Sequence, residues 1–205
     1  AWSKNILSVG AFQHFNTLAT TDDKWQNSAS IGPAADGRIK PDISYWYDDI
    51  YTTTTGNGYT SGFNGTSAAT PATAGVMGLV VQMYADNVWG TNPVGATVFD
   101  RQPHSSTLKA LMINSADQYP FSGTNSDLTR VHQGWGRSNM RHAKERAVNS
   151  FIVDETVPLR VNDKVSYDID VHAGETELKV TLNYNDNPGT TSASLHRIND
   201  LDLTV

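Results

Sequence analysis

The residues best suited to covalent chemistry stand together in Asn64-Gly65-Thr66-Ser67. A serine hydroxyl becomes an effective nucleophile when a base takes its proton and fixed N–H donors receive the charge developing on the substrate oxygen. Ser67 has the second ingredient by position. It opens an apolar run that reads as a helix from about Ser67 to Asp86, and the first N–H groups of a helix have no intrahelical partner. Its neighbours Gly65, Ala68 and Ala69 are small, so a substrate carbonyl can come close. Pro71 falls in the first turn or just past it, where a missing N–H costs least. The same features also describe an ordinary N-cap serine on a core helix, which is the commoner role.

The elements that must position this serine divide into two kinds. Residues 6–12, ILSVGAF, read as a short buried strand, and Gln13 to Thr60 read mostly as loop with a turn at DGRIKPDI (36–43). TTTTGNGYTSGFNGT (52–66) is Gly/Thr-rich and expected to be irregular. The helix after it is apolar all round, which predicts burial on every side. Ser105-Ser106-Thr107 offers N-caps for a second helix to about Asp117, with Leu108, Leu111, Met112 and Ser115 on one face and Lys109 outward. A loop rich in Gly, Ser and Asn comes next, then HQGWGRSN (132–139) and a charged surface helix over 138–149. After Asn149 the period changes to two: VPLRV, KVSYDIDV, ELKVTLNY and LDLTV alternate apolar and polar residues, as antiparallel strands do. A domain boundary is therefore placed at about 150, giving units 1–149 and 150–205.

The chain has 205 residues, net charge −6 and 15 Lys+Arg, with no basic stripe, so nucleic acid is not an expected partner. It has no cysteine, which excludes thiol nucleophiles, disulfides and zinc-thiolate sites. The longest apolar run is shorter than the roughly 20 residues that span a bilayer, and residues 1–20 lack the pattern of a signal peptide.

NGTSAATP (Asn64–Pro71), followed by Ala72–Gly75, resembles Gly-Thr-Ser-x-Ala-x-Pro, the nucleophile motif of the subtilisin-like serine peptidases. ILSVGA (6–11), SASIGPAADGRIKPDI (28–43), LKALMINSAD (108–117) and GWGRSN (134–139) match segments of that family in the same order. LNYNDNPGTTSASLHRINDLDLTV (182–205) resembles part of the jelly-roll domain found at the C-terminus of one branch. The resemblance implies an α/β subtilisin-like fold for residues 1–149, its C-terminal portion, in three layers around a buried central helix. An incomplete antiparallel, jelly-roll-like β-sandwich would follow over 150–205. It also implies an extracellular serine endopeptidase in which Ser67 forms the acyl-enzyme and supplies a backbone oxyanion donor, with support from Thr66. Departures are Ala68, where Met is common, Ala72, where many members carry His, and ISYWYDDIY after Asp42, which lacks the usual Ala-Pro-Gly turn.

In that family the order is Asp, His, oxyanion Asn, then Ser, and here no room for the first three precedes Ser67. Asn5 matches a different family position. The six histidines, His14, His104, His132, His142, His172 and His196, read as structural or solvent-exposed. His14 in particular has no aspartate partner in motif context. The expectation is a chain inactive alone, whose partners are a protein or peptide substrate and the missing N-terminal half of the catalytic domain. The other readings are a non-catalytic pseudo-peptidase and a β-sandwich binding or scaffold module.

Asp200 and Asp202 share one face of a strand, and Asp186 lies in the turn NDNPG. Hard oxygen ligands grouped in this way suit calcium, and related subtilases carry structural calcium; the alternative is a solvated polar strand face. Asn183-x-Asn185-x-Asn187 is not an EF-hand loop, because Pro188 and Ser194 occupy its sixth and twelfth positions.

Overall fold

The computed structural model describes residues 3–25, 29–119, 130–156 and 158–205. The Gly/Ser/Asn-rich loop expected over 120–129, and the first residue of the strand VPLRV, lie outside the described residues. Strand β1 (Val9–Gln13) pairs in parallel with β3 (Ile43–Trp46), Val9 opposite Ile43 and Phe12 opposite Trp46. On its other side β1 meets the short antiparallel β2 (Lys24–Trp25), so the sheet order is β2-β1-β3. The expected strand at 6–12 is thus present, set a few residues further on.

Residues 52–66 are not irregular. β4 (Ile50–Thr54) and β5 (Gly58–Phe63) form a two-stranded antiparallel hairpin. Gly56 and Asn57 turn it, with φ of 77° and 62°. Two successive positive-φ residues match the strand twist of a tight hairpin, and β-branched Thr on either side suits the strands. That Gly-Asn turn between Thr-rich runs was the available signal.

Helix α1 (Thr66–Ala85) lies across β1 and β3, and α2 (Ser105–Asn114) packs on α1. Their contact forms the main core: Ile43, Val80, Tyr84, Trp89, Met112 and Ile113. A second cluster joins Phe12, Trp25 and Tyr119. The expectation of burial on every side of α1 is corrected. Ala69, Thr73, Val80 and Tyr84 face the sheet, while Ser67, Pro71, Ala74, Gly75, Gly78 and Leu79 stand in solvent. The sequence is apolar around the whole helix, but the described residues cover one side.

In α2 the expected apolar face is found, with Met112 fully buried, but Lys109 points inward. Its ammonium lies 3.1 Å from the Asp42 carboxylate, which also takes the Lys40 ammonium at 2.6 Å. Asp42 accepts further bonds from the Ser8 N–H and hydroxyl. Nor does a serine or threonine cap α2: its N-cap is His104, and Asp154 accepts from the His104 N–H and the Thr107 hydroxyl. After α2 come β6 (Ala116–Asp117), α3 (Arg130–Gln133), β7 (Arg137–Ser138), paired with β6, and α4 (Met140–Glu145). The Gly-Trp-Gly turn between α3 and β7 presses on the 41–42 backbone, where a Cβ on Gly134 would sit 2.3 Å from the Asp42 carbonyl oxygen. The charged helix is shorter than expected and ends in a 3-10 turn at Ala147–Asn149.

The alternating segments after Asn149 form no strand ladder among the described residues. Val165, Tyr167, Ile169 and Val171 are 45–54% exposed. A two-residue period creates an apolar face, but a sandwich needs a second layer to bury it, and no such layer is present among the described residues. The segment instead follows the edge of the first unit through individual bonds: Asn114 Nδ2 to the Lys179 carbonyl, Lys179 Nζ to the Ala116 carbonyl, and Asn183 Nδ2 to the Ser106 carbonyl.

Candidate active site

The hairpin delivers the chain to Ser67. β5 ends at Phe63, and Gly65 turns the backbone into α1 with φ 84° and ψ 175°, a region open essentially to glycine alone. Gly65 is the N-cap and has no side chain to cap with. Its carbonyl accepts from the Ala68 and Ala69 N–H groups, so Thr66 and Ser67 hold the N–H groups ahead of the first intrahelical donors. Ser67 is the second residue of α1, exposed with Thr66 on the solvent side, and Ala68 and Ala69 are buried beneath. The hydroxyl is therefore presented rather than packed away.

Pro71 lies just past the first turn of α1, inside the helix. A helical N–H at that position would donate to the Ser67 carbonyl, and proline has none. The Thr70 hydroxyl, 2.8 Å from the Thr66 carbonyl, satisfies the neighbouring acceptor. The first turn around Ser67 is thus held by fewer backbone bonds than the rest of α1.

No histidine is hydrogen-bonded to the Ser67 hydroxyl among the described residues; three are committed to aspartates elsewhere. His14 has no aspartate partner in motif context, but it has one in space. Its Nδ1 lies 2.8 Å from Asp48, whose carboxylate also accepts the His14 and Phe15 N–H groups. Burial acts to raise the Asp48 pKa, but the His14 ring and these amides outweigh it and hold the carboxyl below its usual range. The imidazole stacks on Trp46 at 5.2 Å. His104 pairs with Asp154 and His142 with Asp117, each tying two segments together. His132 sets its ring edge-on to Trp25, His172 is exposed, and the His196 backbone bonds Asp36 and Lys4. Sequence spacing carries no trace of the His14–Asp48 pair, since 34 residues separate its members.

The three aspartates considered for calcium do not form a cluster, and among the described residues no three His, Asp or Glu side chains group as metal ligands would. Asp186 is buried and surrounded by donors: the Ile198 and Asn199 N–H groups, Asn199 Nδ2 and the Lys4 ammonium at 2.7 Å. Burial pushes its pKa up, yet these donors together hold it well below the ordinary carboxylate value. A carboxylate filled with N–H donors and an ammonium does not fit a cation. Asp200 pairs with Arg197 at the surface, and Asp202 is exposed. The role of Asp186 is to join the C-terminal segment to residues 3–5, with the Asn5 side chain bonded to both its N–H and carbonyl.

Two concavities lie away from Ser67. One, of about 420 Å³, sits at the far end of α1 beside Asp86, Asn87 and Arg101. The other, of about 270 Å³, lies between Lys4, Asp36 and His196. Neither is lined by any residue of 63–71, so neither opens beside Ser67. Among the described residues no helix is long and apolar enough to cross a membrane.

An exposed serine at the start of a helix laid over a parallel strand pair, entered through a glycine-only turn, is the arrangement expected of a subtilase nucleophile. The model of the subtilase family, Peptidase S8, matches residues 1–136, and the chain belongs to that family. It is 27% identical to the Dictyostelium discoideum protein "Serine protease/ABC transporter B family protein tagD" over 86% of this chain and 13% of that protein. It is 31% identical to the serine protease AprX of Bacillus subtilis (strain 168) over 41% of this chain and 22% of that one. The chain thus spans less than a quarter of the length of these curated relatives. The fold is similar to that of the Clostridium perfringens CspB protease, with TM-score 0.51 and 19% identity over 71% of this chain and 27% of that one.

Proposed function

We propose that this chain carries the nucleophile-bearing portion of an extracellular serine endopeptidase, with Ser67 as the attacking residue. The observation that supports this most directly is the exposed Ser67 hydroxyl beside helix N–H groups that precede the first internal donor. In the reaction, the Ser67 oxygen bonds to the scissile carbonyl carbon while its proton passes to an imidazole. The carbonyl oxygen becomes an oxyanion held by the Ser67 N–H, and Thr66 steadies the same turn. The C–N bond breaks, the imidazole protonates the departing amine, and water then hydrolyses the acyl ester, returning its proton by the same route.

Among the described residues no histidine bonds Ser67, which supports an imidazole supplied by polypeptide outside these 205 residues. The uncovered side of α1, Ala74, Gly75, Gly78 and Leu79, is the surface that polypeptide covers. The alternating apolar residues 165–171 and 178–182 belong to a β-sandwich completed in the same way. Without its base, a serine of this kind loses about 10⁶ in turnover. The chain alone is accordingly expected to cleave peptides at background rate.

The test is labelling by a fluorophosphonate. The full-length protein should label at Ser67, Ser67→Ala should not, and the isolated chain should label only after addition of the complementary polypeptide. Failure of the full-length protein to label would leave the pseudo-peptidase reading in possession.

A further inference from the structure

The hairpin β4–β5 has a face that its role in delivering Ser67 does not use. β5 takes one extra residue between Thr60 and Phe63, so Ile50 pairs with Phe63 while Thr52 pairs with Thr60. Strand alternation then divides the ribbon. Ile50, Thr52, Gly58 and Thr60 are half-buried, whereas Tyr51, Thr53, Tyr59 and Ser61 are exposed. The Tyr51 and Tyr59 rings stack diagonally across the strands, 5.5 Å apart and 3° from parallel. They nonetheless remain 70% and 65% exposed.

Three observations say what this face fits. From Ile50 to Thr66 there is no acidic, basic or histidine side chain, on a chain of net charge −6, so the ribbon itself carries no charge. Paired tyrosines among Thr, Ser and Gly give rigid contact area with adaptable hydroxyls, a composition suited to gripping polypeptide. Among the described residues the ribbon has two strands, each with an outer edge whose N–H and C=O groups suit an added strand. Continuity with the nucleophile sets the occupant. Tyr59 precedes Ser67 by eight residues, which at about 3.3–3.6 Å per residue limits the separation to roughly 28 Å.

We propose that the Tyr51–Tyr59 face is a substrate-binding extension. An extended, apolar stretch of the polypeptide being cleaved lies along the ribbon and sets a side chain against the stacked rings, several residues from the scissile bond. This rests on the peptidase reading above. A small ester does not reach the pair, and an unfolded polypeptide does.

The test uses the full-length protein with Tyr51→Ser/Tyr59→Ser and, as the conservative control, Tyr51→Phe/Tyr59→Phe. For casein, kcat/KM should fall about tenfold more than for a blocked dipeptide ester in the Ser pair, through KM, and recover in the Phe pair. Equal losses on both substrates, or no loss on casein, would overturn the proposal. If the Ser pair unfolds, seen as collapse of its melting transition, Tyr59→Ser alone decides by the same ratio. In a Ser67→Ala background, binding of fluorescein-labelled casein should weaken about tenfold with the Ser pair, and unchanged binding counts against the surface. A wild-type protein that cleaves neither substrate would sink the Ser67 reading, and the binding measurement would still decide the hairpin.

Discussion

Helix α1 and the segment 158–205 both carry apolar residues at a regular period, and the structure treats them differently. Along α1 the period meets a sheet: Val80 and Tyr84 are buried with Ile43, Met112 and Trp89. Along 165–171 the period meets solvent, and the segment is attached by single side-chain bonds instead. Periodicity fixes which residues share a face. Whether that face is stabilising depends on a second surface that the period does not encode. Even α1 shows this, since its Leu79 side remains 57% exposed.

The largest way to sharpen the contrast is to cut into each region equally. Met112→Ala removes a fully buried side chain and should cost about 2–5 kcal/mol in denaturant unfolding. Asp186→Ala should cost less, about 1–3 kcal/mol, because it strands the Ile198 and Asn199 N–H groups and the Lys4 ammonium. Its signature should be local, with new protease cuts in 187–205 before the α1–α2 core opens. Simultaneous opening of both regions would break the comparison.

Acid should separate the regions by the same joint. Asp36 is held to about 2 chiefly by the Arg38 side chain, and its carboxylate also accepts the His196 N–H. Asp186, at the same joint, is shifted in the same direction. A carboxyl with a depressed folded-state pKa contributes stability that is complete above its ordinary value, near 3.8, and fades as pH falls toward about 2. Pepsin digestion across that range should release fragments of 187–205 first, and uniform cutting of both regions would contradict the assignment. The smallest effect in the isolated chain should come from Ile169→Ala, within about 0.5 kcal/mol of wild type, because that side chain is already 45% exposed there.

What the sequence made legible was local. Gly65-Thr66-Ser67 and the start of α1 lie within a few residues of one another, so motif, helix and cap could be read together. The hairpin is equally local, and its signal is the Gly56-Asn57 turn after the Thr-rich run, which composition alone reads as irregular. The remaining misses are pairings across the chain. The helical period points Lys109 outward, but its partner Asp42 is 67 residues away; likewise no motif links His14 to Asp48, which lies beyond β3. The expected sandwich does not form among the described residues for a related reason, because alternation specifies a strand's face but not its neighbour.

The Asp42 node has a consequence for dissection of the molecule. One carboxylate answers two buried ammoniums, both of which also reach the Ile6 carbonyl. Any fragment that keeps 40–42 but drops either the first strand's approach or the second long helix discards a member of this knot and leaves ionic groups mismatched in the interior. The smallest piece able to stand by itself is therefore set by charge accounting across residues 6 to 109, whatever boundaries the helices and strands suggest.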